Sequence, residues 1–304
     1  MKYLFIINPI AGGTDHTAQI REIAENAFAG RPEDEYELYV TKAPLDAIRE
    51  ISERARTGAS FRILSCGGDG TFNECCNGAA GFDNVAVAPF PVGTGNDFCR
   101  MFGDQKDLYL DIEALLDGFT HKIDLAEVNG RYCACIASVG FDARVGTNVH
   151  HYSHLPLCKG PGAYIASLVV ELVKGLSRNV KVSCGDFRYE GPMTLCAVCN
   201  GRHYGGGFNP VKDAMPDDGI LDIVLVKKIS FPAFLLNVGK YKNGNGDTIP
   251  HYFTHLRGDR IRFEFEEESV INCDGETLRS RTADIILHHD ILNLIVPKGL
   301  DFFG

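Results

Sequence analysis

Three glycine-rich segments in the first third of the sequence have the composition of phosphate-binding turns. They are residues 8–13, 66–73 and 91–97, and each follows a short apolar run. Glycine permits a positive φ, and without a Cβ atom it lets backbone N–H groups come close to a phosphate. One such turn would be weak evidence, because glycines also form ordinary tight turns and helix caps. Three of them at one edge of a sheet predict a polyphosphate site.

The two most familiar phosphate-binding motifs do not occur in the sequence. There is no GxxxxGK followed by Ser or Thr, and no GxGxxG after the first apolar run. These patterns mark the P-loop and the Rossmann dinucleotide-binding turn. The phosphates must therefore be held by a different arrangement.

Several segments resemble motifs of one kinase family. GGDGTFNE, residues 67–74, is similar to the GGDGT signature of diacylglycerol kinase catalytic domains, which NAD kinases and 6-phosphofructokinases share. PVGTGNDFCR, residues 91–100, narrows the choice, because a GTxNDxxR segment after GGDGT resembles the bacterial diacylglycerol-kinase-type lipid kinases, relatives of sphingosine and ceramide kinases. AMPDDGILD, residues 214–222, and NCDGE, residues 272–276, resemble the family's DDGxxD and DGE stretches. The resemblance covers nearly the whole chain.

The resemblance implies that ATP is bound by the three turns, with backbone N–H groups and hydroxyls on its phosphates. The chemical types of these residues suit that role. The implied ATP-binding residues are Asn8, Pro9, Ile10, Ala11, Gly12, Thr41, Gly67, Gly68, Asp69, Gly70, Thr71, Phe72, Asn73, Gly93, Thr94 and Asn96.

Three aspartates are candidates for a Mg²⁺ network beside the phosphates. Asp69 stands between glycines, where a carboxylate is understandable if Mg²⁺ lies between it and the nucleotide. Asp97 and Asp124 would complete the network through water. Aspartate at a helix start also caps N–H groups, so from the residues alone a cap or a strand-end turn remains an alternative for each.

Two further site predictions fall in the second half of the chain. Glu276 is the candidate general base for the acceptor hydroxyl, although a glutamate after a DG turn is also an ordinary exposed hairpin residue. Asp218, with the carbonyls of Met215 and Ile220, resembles a second Mg²⁺ site that stiffens the fold. Its alternative is an Asp-Asp-Gly surface turn.

The pattern of apolar runs predicts an α/β fold in two domains. Over residues 1–125, strand-like runs at 3–7, 36–40, 61–65 and 85–88 alternate with helical spacing at 17–29, 44–55 and 71–77, which is typical of a mostly parallel sheet with buried strands. The resemblance makes this a nucleotide-binding domain like that of 6-phosphofructokinase and NAD kinase.

Residues 126–304 are predicted to form a β-rich, antiparallel second domain. The resemblance makes it a lipid-binding β-sandwich, with the active site in the cleft between the domains. The last run, residues 291–296, either completes this domain or returns to the first. Strand-like runs lie at 123–128, 132–138, 180–183, 194–200, 220–226, 261–266, 270–273 and 285–287, with a helical pattern at 163–175 and a weaker one at 232–238.

Composition restricts the partners and the compartment. Residues 1–125 carry 11 Lys and Arg against 20 Asp and Glu, and residues 126–304 carry 19 against 20. Nucleic acid is therefore not an expected partner, and any contact with an anionic membrane should involve the second half. No run approaches about 18 apolar residues, so membrane contact should be peripheral. A homodimer is also compatible with the sequence.

The chain has 11 cysteines at uneven spacing, which favours a reducing compartment over a disulfide framework. We therefore expect a cytoplasmic protein that is transiently at the inner face of the membrane. Cys196 and Cys199 form a CxxC inside an apolar run, so they are expected to be buried core thiols, with zinc or redox chemistry as the alternative.

Together these features predict an ATP- and Mg²⁺-dependent lipid kinase, with diacylglycerol as acceptor and phosphatidic acid as product. One alternative is a kinase for another lipid, such as phosphatidylglycerol or a sphingoid base. A kinase for NAD or a sugar phosphate would leave residues 93–97 and the second domain unexplained. A nucleotide-binding regulator without catalysis would need Asp69 or Glu276 to be dispensable.

Overall fold

The computed structural model describes residues 1–152, 170–172 and 175–303, without the side chains of residues 148–152. The helix predicted over residues 163–175 therefore lies almost entirely outside the described residues. The described part divides into two compact units, one formed by Met1–Leu125 with His288–Gly304 and the other by Ala126–Leu287.

The first unit contains a parallel sheet with helical crossovers. Its strand order is β2, β1, β3, β4, and Asn293 and Leu294 continue the sheet beside β4. The elements are β1 (Lys2–Ile7), α1 (Thr17–Ala29), β2 (Glu35–Val40), α2 (Asp46–Ala55), β3 (Phe61–Gly67), α3 (Asp69–Ala79), β4 (Val85–Pro91), α4 (Asp97–Arg100), α5 (Ile112–Leu116) and the start of β5 (Phe119–Val128).

Apolar side chains on both faces of β1, β3 and β4 explain why these strands form the centre of the sheet. Their side chains are almost wholly buried, as expected where helices cover both faces of a parallel sheet. On α1, Ile20, Ala24 and Phe28 form the buried stripe. Helices α2 and α3 approach closely, because a Cβ atom on Gly78 would lie only 2.9 Å from Ile51 Cβ.

The prediction that β2 is buried is wrong. Its side chains from Glu35 to Val40 are exposed or half-buried, because the strand is at the edge of the sheet with β1 as its neighbour. The alternation of Glu with Tyr and Leu in this strand fits an edge position, where one face and one side meet water.

The second unit is an antiparallel β structure, with strand order β11, β10, β9, β7, β12, β13. Strand β8 pairs with β9 and β12, and β6 pairs with β5. The elements are β6 (Arg131–Cys133), β7 (Ile136–Gly140), α6 (Phe141–Tyr152), β8 (Arg178–Cys184), β9 (Phe187–Cys199), β10 (Leu221–Lys227), α7 (Phe231–Lys242), β11 (Phe253–Gly258), β12 (Arg260–Cys273) and β13 (Glu276–Val296).

The core of the second unit is made by inward-facing side chains of these strands, including Val139, Val198, Ile223, Phe263 and Ile285. The predicted fold class, an α/β domain followed by a β-rich sandwich domain, is confirmed. Several predicted boundaries are wrong.

Three predicted strand boundaries need correction in the second half of the chain. The runs at 261–266 and 270–273 belong to one strand, whose register shifts between Glu264 and Ser269. The runs at 285–287 and 291–296 are both in β13, which begins in the second unit and ends in the first. The run at 132–138 is instead interrupted at Ala134 and Cys135.

Candidate functional site

The turn between β3 and α3 is built around Gly67 and Gly68. Strand β3 ends at Gly67, and Gly68 is the residue that precedes helix α3. A Cβ atom on Gly67 would clash with Thr71 Oγ1, so the first turn of α3 fits only against a glycine here. The backbone N–H groups at this helix start point out of the helix, which favours an anion.

The turn after β4 packs directly against the turn after β3. The Gly67 carbonyl accepts hydrogen bonds from the N–H groups of Val92, at 3.1 Å, and Gly93, at 3.0 Å. A Cβ atom on Gly93 would lie 2.5 Å from Gly68 Cα and 2.8 Å from Gly68 N. The two backbones therefore touch in a way that a larger residue at position 93 would prevent.

The turn after β1 joins the same group of turns. Asn8 Nδ2 donates to Thr71 Oγ1 at 3.1 Å, and the N–H of Ile10 donates to Asn8 Oδ1 at 3.1 Å. Gly12 has a φ of +65°, and a Cβ atom there would lie 3.1 Å from the Val92 carbonyl oxygen. All three glycine-rich turns thus lie together at the carboxyl edge of the parallel strands, where ligands of such sheets bind.

Thr41, the predicted ATP-binding residue outside these turns, follows β2 at the same edge. Its N–H donates to the Ile7 carbonyl at 2.9 Å, and its hydroxyl donates to the same oxygen at 3.3 Å. The loop after it is held by Asp46, whose Oδ2 accepts from the N–H of Lys42 at 3.0 Å and from the Tyr39 hydroxyl at 2.9 Å. That backbone hydrogen bond is the main reason why the pKa of Asp46 lies below its usual value.

Asp69 links the start of α3 to the start of α4. Its Oδ1 accepts a hydrogen bond of 2.6 Å from the N–H of Asp97, the first residue of α4. Its Oδ2 faces Gly95, where a Cβ atom would collide with it. The carboxylate therefore caps an N–H group at a helix start, as the alternative interpretation of Asp69 predicts. The capped helix is α4, whereas Asp69 itself belongs to α3.

Asn96, Asp97 and Arg100 shape the third turn from within. Asn96 adopts the left-handed conformation, with φ +54°, and its Nδ2 donates to the Gly93 carbonyl at 2.8 Å. Arg100 Nε donates to the Gly95 carbonyl at 3.1 Å and lies 3.3 Å from Asp97 Oδ1. This turn is thus fixed by its own side chains.

The three predicted Mg²⁺ ligands lie at the start of α3, at the start of α4 and on β5. Asp69 and Asp97 are adjacent, whereas Asp124 is buried on β5, accepts from the N–H of Asp290 at 2.8 Å and lies 3.9 Å from His289 Nδ1. No set of three His, Cys, Asp or Glu side chains is arranged to hold a metal ion in the described ranges. The donor set still fits Mg²⁺, because this ion is commonly held by one or two carboxylates together with phosphates and water.

A cavity of about 10 Å³ lies beneath the second and third turns. Its lining includes Gly67, Gly68, Asp69, Phe98 and Cys99. Such a volume suits about one water molecule, so a nucleotide would lie over the turns and not within this cavity. Burial, and to a smaller extent the Asp69 carboxylate, raises the pKa of the Cys99 thiol, so that this cysteine stays neutral.

In the second unit, Glu276 follows a tight hairpin turn between β12 and β13. Asp274 and Gly275 have φ values of +50° and +93°, which is the pattern of a type I′ turn. The Glu276 side chain is 45% exposed, and its Oε2 lies 4.0 Å from Arg131 Nη2. A carboxylate that reaches solvent in this way could accept a proton from a bound hydroxyl.

Asp274 anchors this turn, a role that its place in the sequence does not reveal. Its carboxylate accepts from the N–H groups of Ala134, Cys135 and Ile136 at 2.6, 3.0 and 3.1 Å, and from Cys133 Sγ at 3.0 Å. These residues extend from the end of β6, across the break, to the start of β7. The DGE motif marks Asp274 in the sequence, but the segment whose N–H groups it binds lies far away along the chain.

The residues of the predicted second Mg²⁺ site lie in a surface turn. Asp218 Oδ1 accepts from the N–H of Ile220 at 3.0 Å, and its Oδ2 lies 3.4 Å from Arg257 Nη2. Met215 Sδ lies 3.0 Å from Arg202 Nη2. A guanidinium therefore already stands beside the carboxylate that the resemblance assigns to metal.

Cys196 and Cys199 are wholly buried on β9, as the apolar run around them predicts. Burial raises the pKa of both thiols well above the usual value. Neutral, enclosed thiols of this kind are poor nucleophiles and poor metal ligands. Elsewhere, none of the helices that the structure describes is long and apolar enough to cross a membrane.

Comparison with known proteins gives matches along nearly the whole chain. A model described as the diacylglycerol kinase catalytic domain matches residues 2–128, and one described as the YegS C-terminal NAD kinase beta sandwich-like domain matches residues 135–296. A Pseudomonas aeruginosa protein named "Probable lipid kinase YegS-like" is 30% identical over 278 residues, which are 91% of this chain and 89% of that protein.

Two further relatives come from Bacillus. The diacylglycerol kinase of Bacillus subtilis is 26% identical over 298 residues, which are 96% of this chain and 95% of that protein. A crystal structure of a diacylglycerol kinase from Bacillus anthracis matches with a TM-score of 0.71 at 24% identity, covers 98% of both chains and has the same fold.

Proposed function

The chain belongs to the family of diacylglycerol-kinase-type lipid kinases, and we propose that it transfers the γ-phosphoryl group of ATP to the hydroxyl of diacylglycerol, giving phosphatidic acid. The family predicted from residues 67–74 and 91–100 is confirmed, and with it the prediction of a kinase. The acceptor lipid and the dependence on Mg²⁺ are proposals.

The contact between the second and third turns is the observation that carries the proposal. Gly93 approaches the Gly68 backbone so closely that no side chain fits at position 93, and the Gly67 carbonyl accepts hydrogen bonds from the turn after β4. The result is a cradle of backbone atoms at a helix start, which suits phosphate groups. A chain that needed only tight turns would have no reason to bring all three together at one edge.

Several residues of the first unit would hold the nucleotide. ATP supplies the phosphoryl group, and Mg²⁺ neutralises charge on its phosphates. Backbone N–H groups of Gly68 and Gly70 would bind phosphate oxygens, and Asp69 would provide the carboxylate for the metal. Because the Asp97 N–H holds the Asp69 carboxylate at 2.6 Å, little reorganisation is needed when the charged ligand arrives.

Glu276 is proposed as the proton acceptor of the transfer. The oxygen of the lipid hydroxyl forms a bond to the γ-phosphorus, while the bond from that phosphorus to the bridging oxygen of ADP breaks. The hydroxyl proton passes to the Glu276 carboxylate. Asp274, fixed by three backbone N–H groups, acts as a positioning residue for the turn that carries Glu276.

Diacylglycerol is the proposed acceptor because the relatives at this level of identity include a protein named diacylglycerol kinase. The relative from Pseudomonas aeruginosa is named a probable lipid kinase, without a stated lipid. We further propose that the protein works in the cytoplasm and meets the inner face of the membrane only transiently, with no nucleic acid partner.

A transfer assay over a set of acceptors tests the proposal. Purified protein is incubated with γ-labelled ATP, Mg²⁺ and either diacylglycerol, phosphatidylglycerol, a sphingoid base or NAD. We expect label in phosphatidic acid above all other products, and none of it when Mg²⁺ is chelated. Preferred labelling of another lipid would correct the acceptor, and labelling of NAD would overturn the lipid assignment.

A further inference from the structure

Helix α7 exposes an unusual set of large apolar side chains. Phe231 is 45% exposed, Leu235 55% and Leu236 81%. Residues four apart are neighbours on a helix surface, so Phe231 lies beside Leu235 and Pro232 beside Leu236. These four residues, which we call the α7 outer face, form one continuous apolar surface over the first two turns.

The opposite side of α7 is firmly packed, so the exposure is not that of a loose segment. The Phe234 ring lies 5.5 Å from the Phe141 ring. Tyr241 is buried, its ring is 5.9 Å from that of Phe253, and its hydroxyl is 2.6 Å from the Tyr204 hydroxyl. A surface helix normally presents a polar side to water, and α7 instead is apolar on both sides of its first half.

The charge around this helix is also distinctive. Residues 223–246 contain four lysines, Lys227, Lys228, Lys240 and Lys242, and no aspartate or glutamate, in a chain with a net charge of −10. Lys228 and Lys240 are exposed; Lys228 lies three residues before Phe231, and Lys240 lies four residues after Leu236, hence next to it on the helix surface. Lys242 Nζ lies 5.6 Å above the Phe208 ring. Exposed lysines thus precede and follow the exposed apolar residues along the chain, and we call Lys228 and Lys240 the charged border.

From this combination we propose that the α7 outer face docks onto a bilayer that contains anionic lipids. A helix that lies in the membrane interface inserts apolar residues among the headgroups, while lysines contact anionic lipids. The charge selects this occupant, because four lysines without an acidic residue complement an anionic surface. This inference rests on the proposed function, since a lipid kinase must reach a lipid within a bilayer.

Vesicle flotation with matched variants tests the docking surface. The vesicles are either phosphatidylcholine alone or an equimolar mixture with phosphatidylglycerol. The variant Leu235→Gln/Leu236→Gln should lose about tenfold or more in binding to the mixed vesicles, because two exposed leucines no longer leave water. The control Leu110→Gln changes a leucine of the first unit that is 47% exposed, and it should bind as the unchanged protein does.

The charged border is tested separately. The variant Lys228→Gln/Lys240→Gln should lose most of its preference for the mixed vesicles and bind phosphatidylcholine vesicles as before. If the leucine variant floats as well as the unchanged protein, the proposal is wrong. If that variant floats normally but changes a dimer into a monomer in light scattering, the outer face binds a second copy and the proposal is again wrong.

The same variants separate this proposal from the proposed function. The leucine variant should phosphorylate diacylglycerol in vesicles at least about tenfold more slowly, and should phosphorylate a short-chain, monomeric diacylglycerol at the unchanged rate. Equal loss on both substrates would contradict a docking role. If the unchanged protein phosphorylates no lipid while its flotation still requires Leu235 and Leu236, the proposed function fails and the docking surface stands.

Discussion

The carboxylate of Asp69 accepts a hydrogen bond of 2.6 Å from the backbone N–H of Asp97. This single contact connects the first residue of α3 with the first residue of α4, and therefore connects the turn after β3 with the turn after β4. It also fixes the orientation of the carboxylate that the proposed function assigns to Mg²⁺.

Gly95→Ala should lower activity by moving Asp69. A Cβ atom at position 95 collides with Asp69 Oδ2, and a side chain can turn away from such a collision while the backbone stays in place. Misplacement of a metal-binding carboxylate by about 1 Å can cost about a hundredfold in rate. We expect intact thermal unfolding, a large fall in kcat and a higher Mg²⁺ requirement in the transfer assay. Unchanged activity would show that the position of Asp69 is not important.

Gly68→Ala and Gly93→Ala form a matched pair with different expected outcomes. A Cβ atom on Gly93 would lie 2.5 Å from Gly68 Cα, so Gly93→Ala should destabilise the protein by about 1–3 kcal/mol. A Cβ atom on Gly68 would meet only Gly93 Cα at 3.6 Å, an ordinary contact, so Gly68→Ala should fold with a cost of no more than about 1 kcal/mol.

Nucleotide binding distinguishes the role of this cradle from plain packing. We expect Gly68→Ala to weaken ATP binding about tenfold or more, because the added Cβ atom would keep a phosphate oxygen from the backbone N–H groups, and a hydrogen bond to a charged group is worth about 1.5–3 kcal/mol. Calorimetric titration with ATP and Mg²⁺ measures the effect. If Gly68→Ala binds ATP as tightly as the unchanged protein, the turns are structural and the nucleotide lies elsewhere.

Asp274→Ala should destabilise the second unit, because three backbone N–H groups lose their acceptor. Each buried donor left without a partner costs about 1–3 kcal/mol, so a total loss of about 3 kcal/mol or more is expected in urea unfolding. The control Asp186→Ala changes an exposed aspartate of the same unit and should alter stability by less than about 0.5 kcal/mol. Equal stability of the two variants would contradict the anchoring role of Asp274.

The first unit should lose stability in acid, because the stabilising Asp46 carboxylate becomes protonated. Hydrogen bonds from the Lys42 N–H and the Tyr39 hydroxyl, and the charge of Arg49, lower the pKa of this buried carboxyl in the folded chain. A carboxylate whose folded pKa is depressed stabilises the fold above its unfolded pKa of about 3.9, and this contribution is lost as the pH falls through the folded value.

The unfolding free energy of the unchanged protein should therefore decrease more steeply below about pH 4 than that of Asp46→Asn, which lacks the titrating group. Urea unfolding at several pH values measures both slopes. Parallel curves for the two proteins would show that Asp46 does not contribute to this acid sensitivity.

Much of the first unit could be predicted from the sequence, because its central strands are buried on both faces. Such strands appear as uninterrupted apolar runs, so β1, β3 and β4 were recognised, and α1 was predicted at Thr17–Ala29 as observed. The sequence predicts the position of β2 but not its exposure, since a short run of Tyr, Leu and Val does not reveal an edge position. In the second unit, β12 and β13 alternate exposed and buried residues and were divided into shorter pieces.

The site was predictable in its parts but not in its connections. Glycine content and spacing marked all three turns, because phosphate binding requires a backbone without Cβ atoms. The contact of Gly68 with Gly93 and the bond from Asp97 to Asp69 depend on strand order, which apolar periodicity does not give. The role of Asp274 cannot be predicted for the same reason, because its partners at residues 134–136 are brought to it by the pairing of β12 with β7.

The most direct test of the central claim is transfer of label from γ-labelled ATP to diacylglycerol by three proteins: the unchanged chain, Glu276→Gln and the control Glu268→Gln, which alters an exposed glutamate of β12. We predict labelled phosphatidic acid from the unchanged chain and from the control at similar rates. Glu276→Gln should remain folded and bind ATP but be slower by about 10²–10⁴, the usual contribution of a general base. No label in any lipid from the unchanged chain would contradict the proposed function, and equal rates for Glu276→Gln and the control would remove Glu276 from its role.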